Sequence, residues 1–110
     1  MENITFIKNL AFGGEINSEK DRDANPLFVG SRRQIMEVTL SNGAVLSKHV
    51  AKEPIAVLCL AGRGKFLAGE DLQDEQIMET GTFITLPANV PHEVVAEPKM
   101  RVLVTKFKQD

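Results

Sequence analysis

Residues 81–96 read GTFITLPANVPHEVVA. Gly81 opens a short alternating run, Pro87 and Pro91 bracket Asn89, and His92 stands at the head of a valine-rich run. Alternation with period two marks strand on both sides of the prolines. The prolines fix φ and remove amide donors, so the segment between them is a stiff turn rather than a continuation of either strand. Asn89 is one of the few residue types that tolerate the left-handed backbone such a turn needs. One of only two histidines in the chain is therefore carried by a rigid turn onto the first position of a strand.

The same pattern extends outward. Alternating or β-branched runs occur at 4–7 (ITFI), 34–41 (QIMEVTLS), 44–50 (AVLSKHV), 55–61 (IAVLCLA), 65–69 (KFLAG), 76–80 (QIMET), 82–87 (TFITLP), 92–97 (HEVVAE) and 101–107 (RVLVTKF). No stretch of ten residues carries the helical period. Short strands separated by Gly, Pro and Asn predict an all-β antiparallel sandwich or barrel. Asn42-Gly43 suits a type I′ hairpin turn, whose two central residues need positive φ. Gly62-Arg63-Gly64 is expected to close a second hairpin, and Thr80-Gly81 a third. It is no phosphate loop, which would need more glycines and a following helix. The acidic stretch 69–75 (GEDLQDE) lacks the ligand alternation of a calcium loop and reads as an exposed hairpin tip. The polar stretch 13–26 (GGEINSEKDRDANP) is long for a connection in a compact domain and reads as a solvated excursion.

Composition narrows the class. The 110 residues are 43% apolar and 25% charged with a net charge of −2, enough for one ordinary globular core and one domain. There is no basic patch, Trp or Tyr to bind nucleic acid. Cys59 is the sole cysteine, which excludes an intrachain disulfide. The longest apolar run, IAVLCLA, is too short to cross a bilayer, and the N-terminus lacks the features of a signal peptide. The expected setting is cytoplasmic, with no membrane partner.

Two motifs together make the chain resemble a cupin, the small double-stranded β-helix or jelly-roll barrel. The first motif of that family runs from a glycine through a short strand to a His-x-His pair, then a glutamate and a closing glycine. Here Gly43, AVLSK, His49 and IAVLCLAG up to Gly62 follow it. The second runs glycine, short strand, Pro-x-Gly, two residues, histidine, three residues, asparagine. Gly81, TFITL, Pro87, Asn89, Val90-Pro91 and His92 follow it, with Asn89 in place of the glycine. The resemblance covers about 34–107. It implies a single cupin domain over 1–110, in which 1–33 form an N-terminal arm with its polar loop and 34–107 the barrel.

The chain also departs from the motifs. The second histidine falls at Ala51, the glutamate at Ile55 and the final asparagine at Ala96. Metal-binding cupins use two histidines and a glutamate from the first motif plus the histidine of the second, and only His49 and His92 remain here. Glu53 shares parity with His49 and would complete a two-histidine, one-carboxylate set suited to zinc, nickel, iron or manganese. Without metal, parity puts Ile55, Val57 and Cys59 on one inward face, and Val94 with His92 on another. That makes an apolar cavity with two imidazoles at its mouth, the composition of a small-ligand site. Lys48 and Glu93 have the opposite parity and should face outward. Cys59 inside an apolar run reads as a small buried hydrophobe rather than a nucleophile.

Three functions are compatible with these residues. The leading one is a barrel binding a small molecule, a divalent metal or both, without turnover. The alternative is a metal-dependent enzyme of the dioxygenase or isomerase type using His49 and His92, with Glu53 or waters completing the ligand set. Last comes metal-free acid–base catalysis by a histidine, as some sugar-modifying cupins perform. The resemblance also implies a homodimer formed through edge strands, with the 4–7 run as an edge-pairing or exchanged element.

Overall fold

A computed structural model describes residues 3–108. Seven strands occur among them and no helix: β1 (Arg22–Val29), β2 (Arg33–Leu40), β3 (Val45–His49), β4 (Ile55–Ala68), β5 (Asp74–Glu79), β6 (Phe83–Leu86) and β7 (His92–Phe107). All pairings are antiparallel, with the path β1-β2-β7-β4-β5 and with β3 on β7 and β6 on β4. The path stays open, since β1 and β5 are its two ends. No helix among the described residues is long and apolar enough to cross a membrane.

Two long strands organise the molecule. The first part of β4 pairs β6, with Ile55 opposite Leu86, and its second part pairs β5, with Arg63 opposite Glu79. The first part of β7 pairs β3 and its later part pairs β2, while β4 runs along both. Register shifts between Cys59 and Ala61 and between Gly62 and Gly64 mark where β4 changes partner. Bulges at such points bend a strand and let it pass from one partner to the next.

This corrects the expectation for Gly62-Arg63-Gly64. The segment closes no hairpin but lies inside one 14-residue strand, fusing the 55–61 and 65–69 runs. A side-chain carbon on Gly62 or Gly64 would fall well inside 3.0 Å of the carbonyl oxygen of Lys99 or Val95, respectively. The glycines are there to admit β7's backbone, and Gly62 also takes a φ of +83°. The 92–97 and 101–107 runs are likewise one strand, β7.

The N-terminal region differs too. The 4–7 run forms no strand, whereas Arg22–Val29, inside the stretch read as a polar arm, does. β1 occupies an edge, where Pro26 costs no ladder bond and coincides with a register shift. Its exposed face explains its polar sequence. Other turns follow the sequence: Asn42 and Gly43 take φ of 57° and 68° between β2 and β3, Gly81 lies between β5 and β6, and 69–73 joins β4 to β5.

Inward positions of β2, β4, β5 and β7 form the core, with Leu40, Cys59, Leu60, Met78 and Met100 fully buried. Burial alternates along β4 and along the first half of β7, as period-two strands require.

Candidate functional site

A cavity of about 400 Å³ opens between the inner faces of β1, β2, β3, β4 and β7. Its walls are apolar, with Val38 and Leu40 from β2, Val57 and Phe66 from β4, and Val94 and Val102 from β7 among them. Five residues bring polar groups to it: His49, His92, Lys106, Arg22 and Asp23.

The two histidines meet by register. His49 ends β3, His92 begins β7, and they are directly opposed across the β3–β7 ladder. Their ring centroids are 4.2 Å apart at an interplanar angle of 61°. His92 is buried, 4% exposed, with Phe66 stacked against it at 5.6 Å, while His49 is exposed at the mouth. The stiff turn sets His92's position: Asn89 takes a φ of 66° and its amide donates to the carbonyl of Ala51 at 2.8 Å. That bond ties the second motif's turn to the segment after His49.

Both rings are held in the same way. Nδ1 of His49 lies 2.8 Å from the Ser47 carbonyl oxygen, and Nδ1 of His92 lies 2.9 Å from that of Val90. A carbonyl only accepts, so each neutral ring carries its proton on Nδ1 and leaves Nε2 as a lone-pair acceptor. Among the described residues no hydrogen bond reaches either Nε2. Burial lowers the proton affinity of His92 below the ordinary histidine value, its bond to the Val90 carbonyl opposes that, and the nearby charges of His49 and Lys106 lower it further. His92 is therefore a neutral acceptor at pH 7.

The residues singled out in the sequence divide at this point. His49, His92, Ile55, Val57 and Val94 line the cavity together. Cys59 does not. It is fully buried beyond the wall, its Sγ faces the Ala61 carbonyl oxygen at 3.5 Å, and burial raises its thiol pKa, which leaves it unreactive. Glu53 does not line the cavity either. It sits in the bend between β3 and β4, where the strand that parity assumed has already ended at His49. Among the described residues no three His, Cys, Asp or Glu side chains gather into a set that could hold a metal ion. Two imidazole nitrogens fall short of the three or four protein ligands of a stable divalent site. The donor set does not fit a resident zinc, nickel, iron or manganese ion.

Lys48 is exposed, and its backbone amide donates to the Glu93 carboxylate at 3.1 Å outside the cavity. Lys106, Arg22 and Asp23 were not singled out in the sequence. Parity could have found Lys106, which follows Val102 and Val104 on the inward face of β7. Arg22 and Asp23 could not have been found, because β1 was not recognised as a strand. Arg22 donates from Nε and Nη2 to the Val45 carbonyl oxygen at 3.2 and 2.8 Å, joining β1 to β3 over one end of the cavity.

No protein-family model matches the chain, and no curated protein matches its sequence. Solved structures do match its fold. A cupin superfamily protein from Desulfitobacterium hafniense superposes with a TM-score of 0.75 at 15% identity, covering 86% of this chain and 84% of that one. An RmlC-like cupin from Desulfovibrio desulfuricans gives 0.72 at 21% identity over 97% and 96%. Salicylate 1,2-dioxygenase from Pseudoaminobacter salicylatoxidans, in complex with gentisate, gives 0.71 at 15% identity over 79% of this chain and 25% of that one.

Proposed function

We propose that this chain, a cupin by fold, is a small-molecule-binding protein whose ligand fills the cavity and is oriented by the Nε2 atoms of His49 and His92, with no resident metal. The paired imidazoles carry this reading. A buried ring fixed by a backbone carbonyl and an aromatic stack, opposed at 4.2 Å by a second ring held by its own carbonyl, presents two pre-oriented ring nitrogens to an apolar space. A few convergent polar groups in apolar walls are what a small-ligand site requires. The gentisate complex of the dioxygenase supports the reading by analogy of fold alone. The enzyme alternative with Glu53 as third ligand loses support from the bend that holds Glu53, which leaves that reading only the two histidines and waters.

The test joins metal analysis to ligand screening. Untagged protein and a His49→Asn/His92→Asn variant, both checked for cooperative melting, are assayed by plasma mass spectrometry and by ligand-observed NMR against a fragment library. Equal, sub-stoichiometric metal in both proteins and fragment binding lost in the variant are expected. Near-stoichiometric metal present only in the wild type overturns the metal-free assignment. Fragment binding that is absent, or unchanged in the variant, overturns the site.

A further inference from the structure

We infer that the cavity is built for a small carboxylic acid, its carboxylate held by the ammonium of Lys106 and its apolar body by the valine-rich walls. The inference rests on the cavity proposed above as the ligand site and adds the charge of the ligand.

Lys106 lies on the inward face of β7, half-buried, and lines the cavity two residues beyond Val104. A lysine whose stem lies along apolar walls carries its ammonium to their edge, where a carboxylate is its natural partner. Among the described residues none lies within 4 Å of its Nζ, and no hydrogen bond of its side chain occurs. Among the described residues, Asp23 is the one carboxylate on the cavity wall. It is opposite Thr39, whereas Lys106 is opposite Gln34, so five positions of β2 separate them. That is roughly 17 Å of strand at about 3.4 Å per residue, beyond the distance over which salt leaves exposed charges coupled. Asp23 lies near Lys20 instead, at 3.9 Å. The other fixed cation of the wall, Arg22, spends its guanidinium on the Val45 carbonyl.

Lys106 also occupies a telling place. It is directly opposite Ile55 in the β4–β7 ladder. Ile55 stands where the cupin motif would put an acid to hold a cation. Here that position holds an isoleucine, and Lys106 stands opposite it. An ammonium on this wall offers the ligand a positive charge. One ammonium in apolar walls matches a monoanion with an apolar body better than a phosphate, which draws on several donors.

The test compares carboxylates with isosteric amides. Binding of 6-hydroxyhexanoate, 4-hydroxybenzoate, 6-hydroxyhexanamide and 4-hydroxybenzamide, whose shared hydroxyl can meet the histidine nitrogens, is titrated by methyl NMR into wild type, Lys106→Met and Lys106→Arg, each shown to melt cooperatively. Each carboxylate is expected to bind wild type at least tenfold more tightly than its amide. Lys106→Met should lose that preference while still taking up the amides, and Lys106→Arg should keep it. Equal affinity for acid and amide in wild type, or a preference that survives Lys106→Met, overturns the anion site and leaves the cavity reading standing. Failure of all four probes to perturb any cavity methyl overturns both.

Discussion

At the scale of single residues, His92 shows how position sets chemistry. Its burial, its carbonyl partner and the charge of Lys106 all bear on one ring, and the net effect is a lowered proton affinity. The unfolded chain, whose histidine titrates near 6.5, therefore takes up a proton at this position before the folded chain does. Stability contributed here is complete above about pH 6.5 and is lost as pH falls below it toward the folded value. Wild type should show a falling urea midpoint between pH 7.5 and 5.5. The His92→Gln variant should lose less of its midpoint over the same interval, since its residue 92 does not titrate. Identical slopes for the two proteins would show that His92 titrates as it does in the unfolded chain.

Individual elements depend on how closely they are packed, and the glycines separate two kinds of requirement. Gly43 serves a turn: it takes a φ of 68° and has nothing within 4 Å of where a side-chain carbon would sit. Gly64 serves a strand crossing: its backbone is ordinary, but a side-chain carbon would strike the Val95 carbonyl and the Met100 side chain. Gly43→Ala should cost about 1 kcal/mol, the price of left-handed backbone for an L-residue. Gly64→Ala should cost about 3 kcal/mol, the upper end for overpacking, because β7 must retreat and Met100 is at the core. Chemical denaturation of the two variants would distinguish them, and the reverse order would mean that β4 does not approach β7 as described. The first effect was legible in the dipeptide Asn42-Gly43. The second was not, since a glycine pair flanking arginine looks the same in a hairpin and in a bulge until the partner strand is in place.

Across the whole molecule, the apolar surface left over points to self-association. Ile4, Phe6, Ile7 and Phe12 of the N-terminal arm are each half or more exposed. The arm is fixed at its base, where the Gly13 amide donates to the Leu60 carbonyl and Arg101 Nη2 donates to that of Ala11. Its apolar residues run on from that anchored base. β1 and β5 keep unpaired edges as well, and exposed edges are usually covered. We expect a homodimer in solution, measured as twice the 12.1 kDa chain mass by light scattering at micromolar concentration. Phe6→Ser/Ile7→Ser should shift it to monomer without lowering the thermal midpoint of the monomeric unit. A wild-type protein that is monomeric under those conditions ends the proposal.

The sequence by itself determined the class of fold, most of the strands, the turns at Asn42-Gly43 and Asn89, and the inward faces bearing His49, His92, Ile55, Val57 and Val94. Those features rest on period-two burial and on the φ preferences of single residues, which are local and so are written in the chain. Only the tertiary structure decided that β4 and β7 run unbroken through their bulges, that Arg22–Val29 forms an edge strand despite its polar sequence, and that Glu53 stays outside the cavity. Each of these depends on which strand lies opposite which, and on where a strand stops. The register of one segment against another distant in sequence leaves no mark in either alone.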